Sequence, residues 1–200
     1  MALSHDELAG VVDLFGALAL TELSRACAEL AFKRGEEAVD ATDAVAEAVA
    51  AYRLVAFERA GDRDETGTGA GGGTDDHDAG EGWEGAYAPV APDELGDGTL
   101  LAAGPAAFPT LPAGAADLPH ILAVEPRDPD PAALGEVVEE RLRAEAARAL
   151  AAGEAERVAQ LLDASYEVEA WAPVDLGDVR ERLDAVVGDA NGTSSGSRSG

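Results

Sequence analysis

The chain has 200 residues, enough for one domain or two small ones, and is 46% hydrophobic but only 4% aromatic, which favours a core of Ala, Val and Leu in close-packed helices over a wide sheet. Lys plus Arg is 14 and Asp plus Glu is 40, for a formal net charge of −26, and Lys33 is the one lysine. A lone cysteine, Cys27, excludes an intramolecular disulfide, and no apolar run approaches the length of about 18 residues that a spanning helix needs.

In dilute buffer a charge of this size opposes compaction by self-repulsion. At molar salt the Debye length shrinks to about 3 Å and the repulsion is screened. The uniformly acidic, lysine-poor composition therefore reads as adaptation to a salty cytoplasm. The competing reading is an acidic mimic of nucleic acid or a sink for a basic partner. Met1-Ala2-Leu3-Ser4 has no basic n-region, so neither a signal peptide nor a membrane span is expected, and the expected location is cytoplasmic.

Two consecutive amphipathic helices are expected between Leu3 and Gly35. Ser4 and Glu7 have the spacing of a capping box, with Leu3 and Leu8 as its hydrophobic staple. Leu8, Val11, Val12 and Phe15 mark one face. After a turn at Gly16-Ala17, the second helix carries Leu23, Ala26, Cys27, Leu30 and Ala31 and stops at Gly35, behind Lys33 and Arg34. Its start is either at Ala19, a poor cap next to a well-placed Glu22, or at Thr21. A third helix follows Asp40 or Thr42, with Val45, Ala48, Val49 and Tyr52 on its face. Residues 53–58 fit a strand, with Val55 and Phe57 on one side, and equally fit a continued helix.

From Gly61 to about Gly98 glycine and like charge dominate, and 61–98 is expected as an acidic, Gly-rich disordered loop, with Trp83, Tyr87 and Val90 as apolar exceptions. Residues 99–103 resume as a strand facing 53–58. Pro105, Pro109, Pro112 and Pro119 then forbid a long helix, so extended chain along a surface is expected. Asp130 caps a helix with Pro131 at its first position. Gly153 interrupts it, and Val158, Leu161 and Leu162 start another. Tyr166 to Trp171 reads as a short strand, and Asp175 caps a last helix ahead of a Gly/Ser tail from 189. The expected organisation is thus 1–60 with 99–125 as one part, 61–98 as a loop, 126–188 as a helical second part and 189–200 as a disordered tail.

Three helices, then strand, loop and strand, is the order of a winged helix, with the third helix as the reading element. Major-groove reading uses Arg, Lys, Asn or Gln, whereas Ala41–Ala51 offers Asp43 and Glu47 and no base. Arg25, Lys33, Arg34, Arg53 and Arg59 form the modest basic cluster that could contact nucleic acid. Trp83, Tyr87 and Trp171 are candidate anchors for a protein partner; packing in the body is their plain alternative. Asp75-Asp76-His77-Asp78 lacks the spacing and glycine of a calcium loop, His120 has no Cys or His beside it, and Cys27 lies on an apolar face as an inert thiol. The sequence contains no phosphate loop and no nucleophile elbow. No catalytic residue, metal ligand or cofactor is assigned.

The segment Glu7-Leu8-Ala9-Gly10-Val11-Val12-Asp13-Leu14-Phe15-Gly16-Ala17-Leu18, with Glu22-Leu23 and Glu29-Leu30-Ala31-Phe32, resembles an uncharacterised acidic protein family of halophilic archaea. Gly104 to Pro112, Asp117 to Leu122 and Asp178 to Leu183 are similar to it too. The resemblance implies habitat and compartment and carries no activity. The expectation is a mainly α protein: a helical N-terminal domain resembling a winged helix with a small β-hairpin, then a C-terminal helical region. Its expected role is that of a non-enzymatic protein-interaction module, with a nucleic-acid-binding regulator as the alternative.

Overall fold

The computed structural model describes residues 3–37, 40–59 and 86–193. The chain divides into two compact units, Met1–Leu134 and Gly135–Gly200.

The first unit begins with α1 (His5–Asp13), held at its start by the expected capping box. The Ser4 amide donates to Glu7 Oε2 at 2.9 Å, and the Glu7 amide donates to Ser4 Oγ at 3.3 Å. Leu8, Val11, Val12 and Phe15 are buried, as their spacing requires. Gly16 turns the chain at φ +72°, tight against the backbone carbonyl of Arg127. A two-residue strand that periodicity cannot register, β1 (Leu18–Ala19), leads directly into α2 (Leu20–Arg34). Ala19 is the cap after all. Its amide donates to Glu22 Oε2 at 2.7 Å, although alanine has no side-chain oxygen with which to complete a capping box. Gly35 closes α2 in the left-handed region, with the Glu36 amide reaching back to the Ala31 carbonyl.

Asp40 Oδ1 accepts from the amide and the hydroxyl of Thr42 in a local turn ahead of α3 (Thr42–Ala50), whose N-cap is Ala41 with no side-chain cap bond, in place of the expected Asp40 or Thr42. Residues 53–58, open between helix and strand in the sequence, resolve as strand β2 (Leu54–Arg59). Tyr52 stands between α3 and β2 at φ +57°, a conformation that stops the helix. The remaining strands are β3 (Tyr87–Pro89) and β4 (Leu100–Ala103), and the antiparallel sheet runs β1-β4-β2-β3. The expected 99–103 pairing holds, in the register Leu54↔Ala103 and Phe57↔Leu100. Part of the expected 61–98 loop is corrected: Tyr87–Pro89 pairs with β2, and the Tyr87 ring packs 4.8 Å from Phe57. Residues 60–85 lie outside the described residues. The core gathers α1, α2 and α3 over one sheet face, around Phe15, Leu23, Leu30, Val49, Leu54 and Leu101.

The proline-rich chain from Gly104 onward wraps this core. Gly10 of α1 has no room for a side chain, because a Cβ there would overlap the Thr110 backbone. Asp6 holds the crossing: its carboxylate accepts from the Phe108 amide and its carbonyl from the Thr110 amide. The wrap is not extended throughout. A 3-10 turn at Ala115–Asp117 runs into α4 (Leu118–Ile121), which accommodates Pro119 because the first turn of a helix has no use for that amide. The expected boundary at 125 moves to 134 for a specific reason. The Arg127 amide donates to the Phe15 carbonyl at 2.7 Å, its guanidinium donates to Glu22 Oε1 at 2.8 Å, and the Asp130 amide donates to the Tyr87 hydroxyl at 3.3 Å. These bonds secure 126–130 to the first unit.

The second unit is helical in its described residues. Asp130 Oδ1 accepts from the Ala132 amide at the start of α5 (Pro131–Ala152), and Gly153 ends that helix at φ +71°. There follow α6 (Ala155–Trp171) and α7 (Gly177–Thr193). The strand expected over Tyr166–Trp171 is instead the last turns of α6. The stretch alternates polar and apolar residues, but Val158, Leu161, Ser165 and Val168 are buried at helical spacing and that period prevails. The tail expected from 189 is also corrected, since α7 runs to Thr193; each added helical residue forms another backbone bond and no proline intervenes. Residues 194–200 lie outside the described residues.

Arginine stitches this unit together. Glu145, largely buried, bridges Arg141 of α5 and Arg157 of α6. Arg143 donates to both oxygens of Asp178, at 2.8 and 2.9 Å, and to the Asp175 carbonyl. Arg180 joins Glu169, which also accepts the Leu176 amide at 2.7 Å, and lies 4.6 Å over the Tyr166 ring.

Candidate interaction surface of the first unit

The basic residues singled out in the sequence lie in different surroundings. Lys33 pairs with Asp117 at 3.1 Å and reaches the Gly114 carbonyl. Arg53 pairs with Asp6 at 2.8 Å and sits 5.6 Å from the centre of the Phe108 ring. Arg25 is exposed on α2, Arg34 lines a small cavity near Cys27, and Arg59 is half-buried at the end of β2 opposite Tyr87. Lys33 and Arg53 thus serve as internal clasps that tie the wrapping chain and α1 to the body.

The outer face of α3 is different. Thr42, Asp43, Ala46, Glu47 and Ala50 line one side of a shallow, wide-open groove, and Pro92, Asp93 and Leu95, just after β3, line the other. Ala46, Ala50, Pro92 and Leu95 make its floor apolar, while Asp43, Glu47 and Asp93 are exposed along its rim. Among the described residues Asp43 and Asp93 have no cationic partner, and Glu47 faces His5 Nε2 at 3.6 Å. The spacing Thr42-Asp43-Ala46-Glu47-Ala50 was legible as the outward stripe of a helix. The opposing wall was not, because it depends on how the chain returns from β3.

The cavity beside Cys27 is small, about 40 Å³, room for a few waters at most. Leu3, Leu8, Leu30 and Ala44 surround it, and burial pushes the Cys27 thiol up to about 11, so the sulfur is protonated and inert at neutral pH. Glu22 beneath the wrap has its carboxyl pushed up by burial, but hydrogen bonds from Arg127 and the Ala19 amide outweigh this and hold it below the ordinary value.

Of the three aromatic anchors, Tyr87 is engaged with Phe57 and Asp130, Trp171 is half-buried at the end of α6 in the second unit, and Trp83 lies outside the described residues. Among the described residues of the first unit, the large apolar side chains most open to solvent are Phe32, Phe108, Leu111 and Ile121 instead. His120 is exposed on α4, and the Asp75–Asp78 run lies outside the described residues. Among the described residues no group of three or more His, Cys, Asp or Glu is placed to hold a metal ion, and no helix is long and apolar enough to cross a membrane.

The chain belongs to a family of unknown function, DUF7109, which matches residues 6–188 and so spans both units. No curated protein and no solved structure matches the chain.

Proposed function

We propose that the protein is a non-enzymatic interaction module of a salt-adapted cytoplasm, with a first unit of winged-helix type that binds protein in place of nucleic acid. The topology supports the winged-helix reading. A short β1 between the first two helices pairs with the last strand, β4, which pairs with β2 after α3. In such a unit α3 is the reading helix. The observation that carries the choice of a protein partner is the chemistry of that helix: its exposed face bears Asp43 and Glu47 and no base, while Lys33 and Arg53 are engaged with carboxylates of the unit itself. A duplex carries one negative charge per about 1.7 Å of its axis and would meet like charge here. The acidic, lysine-poor composition supports the salt-adapted setting.

The alternative, a nucleic-acid-binding regulator, draws on Arg25, Arg34 and Arg59 as phosphate contacts. Affinity purification of the full chain from its source cells at their own salt, with and without nuclease, separates the two. A protein that co-purifies stoichiometrically and survives nuclease supports the module. Recovery of nucleic acid that is lost on an Arg25, Lys33 and Arg34 triple substitution would replace it with the regulator.

A further inference from the structure

Resting on the reading of the first unit as a protein-binding module, we infer that the groove between α3 and residues 92–95 is the docking site, and that it takes a cationic amphipathic segment of a partner protein. The argument is one of complementarity. The floor of Ala46, Ala50, Pro92 and Leu95 is apolar and shallow, built from small side chains that let another backbone come close. Burying such a floor requires apolar side chains from the occupant. The rim of Asp43, Glu47 and Asp93 then requires basic residues flanking them, because carboxylates brought against an uncharged or acidic partner lose hydration without compensation.

Charge also excludes the nearer occupants. A second copy brings another net −26. The chain's own 60–85 segment carries Asp62, Asp64, Glu65, Asp75, Asp76, Asp78, Glu81 and Glu84 against Arg63 and His77. Nucleic acid presents phosphates. Each sets negative charge against a negative rim. An amphipathic helix with leucines at i, i+3, i+4 and i+7 and lysines or arginines beside them satisfies floor and rim together. At molar salt only charges in near contact still attract, so the apolar floor supplies affinity and the rim supplies choice of partner.

The test uses the full chain and a fluorescein-labelled synthetic peptide with leucines at that spacing and lysines elsewhere, beside a twin with glutamate for lysine and a labelled DNA duplex. Anisotropy is read at about 0.2 M and about 2 M KCl, where screening differs severalfold. Binding of the lysine peptide alone is expected, weakened roughly 10-fold at the lower salt by the double substitution Asp43→Lys with Glu47→Lys, and weakened at both salts by Ala46→Gln, which fills the floor. Circular dichroism confirms that each variant is folded. Equal affinity for the double variant would mean diffuse adsorption to an acidic surface and would overturn the site, as would absence of binding or equal binding of the glutamate twin. The broader reading fails separately. If a partner purified from source cells still binds the double variant, the groove is wrong and the module stands.

Discussion

At the scale of single residues, close backbone approach decides more here than side-chain chemistry. Gly10 sits inside α1, where glycine normally weakens a helix by about 1 kcal/mol relative to alanine. The chain tolerates it because Thr110 crosses at that point. Gly10→Ala is therefore expected to destabilise by about 1–3 kcal/mol, the cost of overpacking against an unyielding backbone. Gly35→Ala meets open space and bears only its positive φ, for about 1 kcal/mol. Urea midpoints of both variants check the order, and a higher midpoint for Gly10→Ala would remove the wrap from contact with α1. The capping box at Ser4 was legible from the sequence because it is local. The partners of Lys33, Arg53 and Arg127 were not, since they lie 84, 47 and 105 positions away.

At the scale of elements, the second unit depends on how α5 meets α6. Burial pushes the Glu145 carboxyl up, but the charges and hydrogen bonds of Arg141 and Arg157 outweigh it and hold it below its ordinary value. A carboxyl lowered in the folded state contributes stability fully above its unfolded value, near pH 4.3, and loses it as pH falls through the lower folded one. Glu145→Gln is expected to cost about 3 kcal/mol at neutral pH, because two arginines are left around a neutral amide. The gap from the parent protein closes as pH drops through that window. Amide exchange across α5 and α6 measures it, and a gap independent of pH would mean that Glu145 acts by packing alone. The end of α6 teaches a related point. Tyr166–Trp171 alternates like a strand, and only the burial of Val168 on the same face as Leu161 selects the helix.

At the scale of the whole molecule, charge governs the conditions under which the fold persists. With 40 acidic residues against 14 basic ones, stability is expected to rise from about 0.1 M to molar KCl as the Debye length falls from about 10 Å to about 3 Å. Each kcal/mol of relieved repulsion raises Tm by about 2–4 °C in a chain of this size. Scanning calorimetry over a KCl series checks this, with sucrose as an uncharged control. A Tm that rose equally in sucrose would assign the effect to general exclusion from the surface. The proposed docking follows the same physics, since salt that stabilises the fold also weakens long-range attraction and leaves contact chemistry to select the partner.

Local information in the sequence determined most of the longer helices, the capping box at Ser4 and the character of the surface, because each follows from periodicity within a few residues or from composition. Tertiary structure decided the rest. It formed β1 from two residues too few to show a period, carried Tyr87–Pro89 into the sheet, and moved the unit boundary past Arg127. It engaged Lys33 and Arg53 within the first unit and set residues 92–95 against α3 to make a groove. These outcomes rest on contacts between distant positions, whose energies exist only once the chain has closed upon itself.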